Sequence, residues 1–104
     1  MPSRLEALEM MVSREPNDPF PYYGLALEYR SAGRLKDCVE GFRKLRAKFP
    51  DYVPQYLMAA QVSQELGEIG DARRWCQDGI EAAQRKRDGH AVGELESLLG
   101  SLPE

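Results

Sequence analysis

The chain has 104 residues, with 14 Lys+Arg against 17 Asp+Glu, a net charge of −3, and 42% hydrophobic residues. That length allows one domain at most, and the acidic balance argues against a general nucleic-acid binder. Two cysteines are too few for a disulfide-built scaffold, and no apolar run approaches the roughly 20 residues that span a membrane.

The elements follow in chain order. Residues 3–14 place Leu5, Leu8, Met11 and Val12 on one helical face, ending before Pro16. Arg4, Glu6 and Glu9 interrupt this segment, so it lacks a signal peptide's apolar centre; the expected location is the cytoplasm. Asp18 before Pro19 predicts a capped helix start, and Tyr22, Leu25, Ala26 and Tyr29 share one face, expected to serve the inter-helix core. Gly33 ends that helix. From Leu35 a second stripe carries Cys38, Val39, Phe42 and Leu45 until Pro50 stops it.

The next segment repeats this logic. Asp51 is expected to cap, Pro54 falls in the first turn, and Gly67 breaks the helix. Ile69, Ala72, Trp75, Cys76 and Ile80 form the following stripe. Trp75 reads either as a core filler or as an exposed aromatic. After Gly89, the residues Val92, Leu95, Leu98, Leu99 and Leu102 predict a last helix over 89–102. The expected fold is all-α, with about six antiparallel helices.

A shift of 34 residues superimposes Tyr22 on Tyr56, Ala26 on Ala60, Gly33 on Gly67 and Asp37 on Asp71. The first unit reads Tyr22-x2-Leu25-Ala26-x2-Tyr29, then Cys38-x3-Phe42, then Pro50. The second, degenerate unit reads Tyr56-x2-Ala59-Ala60-x2-Ser63, then Ala72-x3-Cys76, with Gln84 where proline would fall. This pattern resembles the 34-residue tetratricopeptide repeat. The ending from Arg85 onward is similar to the terminal helix of small stand-alone bacterial members of that family.

The resemblance implies one domain over 1–104. Residues 3–14 would be a leading half-repeat, 19–50 and 53–86 two repeats, and 89–102 a capping helix. It also implies a short right-handed superhelix of the α-solenoid kind. Family members use the concave side to hold a peptide or a partner helix, so a non-enzymatic adaptor is expected. The stripe Phe20, Tyr23, Leu27 and Arg30, with Leu57, Gln61 and Gln64 in the second unit, would line that groove. The alternative for Phe20, Tyr23 and Leu27 is packing against the leading helix. The carboxylate clamp of Lys and Asn found in some members is missing, because Tyr23, Leu27, Leu57 and Gln61 occupy its positions. A homodimer through the terminal helices is the alternative.

Other residues read as structural. Arg43, Lys44, Arg46 and Lys48, with Arg85, Lys86 and Arg87, lie late on helices, where cations complement the dipole. Cys38 and Cys76 fall on apolar stripes, as buried free thiols do. His90 is the only histidine and is placed in the turn before the last helix. There is no HExxH, GxSxG, CxxC or phosphate-binding loop. No enzyme, cofactor, metal site, membrane or nucleic-acid partner is expected.

Overall fold

The computed structural model describes Met1–Glu104 and contains six helices and no strand. They are α1 (Arg4–Arg14), α2 (Pro19–Ser31), α3 (Leu35–Lys48), α4 (Pro54–Glu65), α5 (Ile69–Arg85) and α6 (Gly89–Ser101). They fall into two compact units, Met1–Phe49 and Pro50–Glu104. No helix is long and apolar enough to cross a membrane.

In the first unit α1 starts with a capping box. Ser3 Oγ accepts from the Glu6 N–H, and the Glu6 side chain returns to the Ser3 N–H. Asp18 caps α2 by accepting from the Phe20 N–H at 3.0 Å. Gly33 closes α2 at φ +75°, a left-handed conformation that glycine adopts without a Cβ clash. The following N–H, of Arg34, bonds back to the Tyr29 carbonyl at 2.9 Å. The core is Ala26 of α2 against Cys38, Val39, Phe42 and Leu45 of α3. No residue of α1 is buried; Leu8 rests against Gly24 of α2, and Arg4 pairs with Glu28 at 2.9 Å.

The second unit repeats the turn. Gly67 sits at φ +77°, and the Glu68 N–H bonds to the Ser63 carbonyl at 2.9 Å. Tyr56, Ala59, Ala60 and Val62 of α4 meet Ala72, Trp75, Cys76, Ala82 and Ala83 of α5, and α6 adds Leu95. Trp75 is therefore a core residue, only 3% exposed. With Gln84 in place of a proline, α5 runs to Arg85. Its stop falls to Arg87, at φ 56° and the one non-glycine residue with positive φ.

The start of α4 departs from the expectation that Asp51 caps it. The N-cap is Val53, itself already helical at φ −56°, ψ −41°, and no side chain caps the helix. The first N–H groups, of Gln55 and Tyr56, bond to the Tyr52 and Val53 carbonyls instead of to a side chain. Asp51 holds Arg85, with Nε at 2.9 Å from its Oδ1.

Candidate functional site

Helix α2 carries Phe20, Tyr23, Leu27 and Arg30 on one stripe. Phe20 is 65% exposed at its start, and the other three are half-buried. The Tyr23 ring lies 6.1 Å from that of buried Phe42, so Tyr23 contributes to both core and surface. In the second unit, Leu57 and Gln61 are half-buried on α4 and Gln64 is exposed.

The opposite stripe of α2 holds a feature that periodicity does not reveal. Tyr22, Leu25 and Tyr29, expected in the inter-helix core, are only half-buried. With Val12 of α1 and Gly41 of α3 they line a cleft of about 160 Å³. Asp37, Glu40 and Lys44, all exposed, form its rim. The signal that could have found it is one pair in the 34-residue register: Gly41 stands where the second unit has Trp75.

The aromatic walls are fixed from outside. The Tyr22 hydroxyl donates to the Pro16 carbonyl at 3.0 Å, and Lys48 Nζ donates to the same oxygen at 2.9 Å. Arg34 lies 4.7 Å over the Tyr29 ring while bonding Asp37 at 2.8 Å. In the second unit the Tyr56 hydroxyl donates to the Pro50 carbonyl, 34 residues on from the Tyr22–Pro16 bond.

The remaining singled-out residues hold structural places. Of the basic run, Arg43 pairs with Glu40 at 3.2 Å and Arg85 with Asp51. His90 is in the first turn of α6, not before it, with Nε2 3.3 Å from Glu94; Asp88 provides the cap. A one-residue cap suffices there, so helix begins at Gly89. Both thiols are buried and outside any disulfide, and burial pushes the Cys76 thiol above its ordinary 9.0.

No protein-family model matches the sequence, and no curated protein matches it significantly. Solved structures do. A tetratricopeptide repeat domain protein from Salinibacter ruber, solved by NMR, is 28% identical at a TM-score of 0.75. The match covers 81% of this chain and 85% of that one. The chain has the tetratricopeptide-repeat fold. Its all-α fold of helix-turn-helix repeats is the α-solenoid kind. The same fold recurs at lower identity. The TPR2B domain of yeast Sti1, solved in a complex with pHsp70, is 19% identical at a TM-score of 0.84, covering 91% of this chain and 76% of that one. A protein from Bordetella parapertussis is 23% identical at 0.78, covering 95% and 86%.

Proposed function

We propose that this protein is a non-enzymatic interaction module that binds a peptide or partner helix. The observation that carries the reading is Phe20, a large aromatic 65% exposed and followed along α2 by Tyr23, Leu27 and Arg30. Rigid aromatics and arginine are the usual anchors of binding surfaces. Leu57, Gln61 and Gln64 supply the corresponding contacts on α4. The Sti1 domain of the same fold was solved with pHsp70, which supports peptide or protein binding as the use of such helices. The terminal segments 3–14 and 89–102 act as the half-repeat and the capping helix of one domain, in the cytoplasm.

The test is selection of binders from a displayed peptide library, followed by affinity measurement. Phe20→Ser and Leu57→Ala should each weaken the selected peptide at least tenfold while circular dichroism stays unchanged. Affinities equal to wild type in both variants would refute the groove assignment.

Self-association is a second reading, favoured by one observation. Met10 and Met11 of α1 are 46% and 42% exposed, on a helix that buries no residue. Sedimentation over a wide concentration range checks it: Met11→Glu should shift any dimer toward monomer.

A further inference from the structure

The repeat register supplies an internal comparison for the cleft of the first unit. Trp75, 34 residues after Gly41, packs its ring 6.0 Å from Tyr56, the counterpart of Tyr22. There the indole is 3% exposed. In the first unit the same helix position has no side chain, and the space beside Tyr22 is an open cleft of about 160 Å³. Ala26 and Ala60, also 34 residues apart, are both fully buried on the facing helices.

The size fits one aromatic side chain. An apolar cavity of about 150 Å³ takes benzene. The walls are two tyrosine rings, a leucine and a valine, and the floor is a glycine. The rim favours indole over phenyl. A buried indole N–H needs an acceptor, and Asp37 and Glu40 stand at the mouth. Each carboxylate is bonded to one arginine, and its remaining lone pairs can accept an indole N–H.

We propose that the Tyr22–Tyr29 cleft is a docking slot for the tryptophan side chain of a partner peptide. The slot takes from outside the group that the second unit supplies from its own α5. It is separate from the Phe20–Arg30 stripe, which it shares no residue with, so either site can fail without the other.

The probe is N-acetyl-L-tryptophanamide, titrated into the whole chain and followed by two-dimensional NMR. Free indole and N-acetyl-L-leucinamide serve as comparisons. The expected result is saturable shifts at Gly41, Val12 and Leu25 with one tryptophan amide per chain. The leucine amide should bind at least tenfold more weakly. Gly41→Trp, whose Cβ would lie 3.3 Å from that of Ala26, should fill the cleft and abolish the shifts. Should that variant fail to fold, Val12→Arg places a long cation at the cleft wall and should weaken the probe at least tenfold. Free indole should compete with the tryptophan amide for the same resonances. Two results would overturn the proposal: no saturable shift in wild type, or equal binding of the leucine amide.

Discussion

Gly79 of α5 faces Tyr56 of α4 so closely that a Cβ on the glycine would lie 2.5 Å from the tyrosine Cβ. Leu95 Cδ1 of α6 would be only 2.9 Å from it. The absence of a side chain therefore sets how near three helices approach. Gly79→Ala gains helix propensity of about 1 kcal/mol. The forced separation of packed backbone costs about 1–3 kcal/mol, and this effect wins. Thermal melting should show Tm lowered by several degrees, since about 1 kcal/mol moves a domain of this size by about 4–8 °C.

Tyr22 and Tyr56 make equivalent hydrogen bonds to Pro16 and Pro50, but from different depths. Tyr56 is 2% exposed, whereas Tyr22 is half-buried with Lys48 beside it. Removing the Tyr56 hydroxyl takes a donor from the Pro50 carbonyl at a buried site, whereas Pro16 keeps the Lys48 ammonium as a donor near water. Tyr56→Phe should cost about 1–3 kcal/mol and Tyr22→Phe about 0.5–1.5 kcal/mol in urea unfolding. Equal losses would show that depth does not separate them.

Ser63 occupies the position that holds Tyr29 in the first unit. It is fully buried, and its Oγ has no hydrogen-bond partner. Desolvating that hydroxyl opposes folding, and alanine fits the same space with better helix propensity. Ser63→Ala should raise stability by about 1 kcal/mol. A higher urea midpoint at unchanged m-value is the readout.

Cys76 links stability to alkaline pH. Burial keeps its thiol neutral in the folded protein, while the unfolded chain ionises near the ordinary 9.0. The folded state then binds the extra proton, so stability is intact below that pH and falls as pH rises through it. Urea midpoints at about pH 8 and about pH 10 should fall less in Cys76→Ala than in wild type.

Helix positions were readable from the sequence where punctuation is local. Asp18, Pro19, Gly33 and Gly67 act through their own backbone, so their effect is visible without knowing the neighbours. The start of α4 was less readable, because Val53 turns helical ahead of Pro54 and strands Asp51 outside the cap. The cleft was harder still. Spacing identifies Tyr22, Leu25 and Tyr29 as an apolar stripe but does not say what faces them. That depends on Gly41, whose contribution is a missing side chain on another helix. The side chain of Trp75 raised the converse difficulty, since only packing against Tyr56 decides between core and surface.

The Gly41–Trp75 pair has a genetic consequence. A GGG glycine codon becomes the TGG tryptophan codon by a single base change, with no intermediate residue. At this position a repeat can therefore pass in one mutational step between an open slot and a filled, self-sufficient core. Duplicated units that began alike could divide these roles without altering their helices or turns.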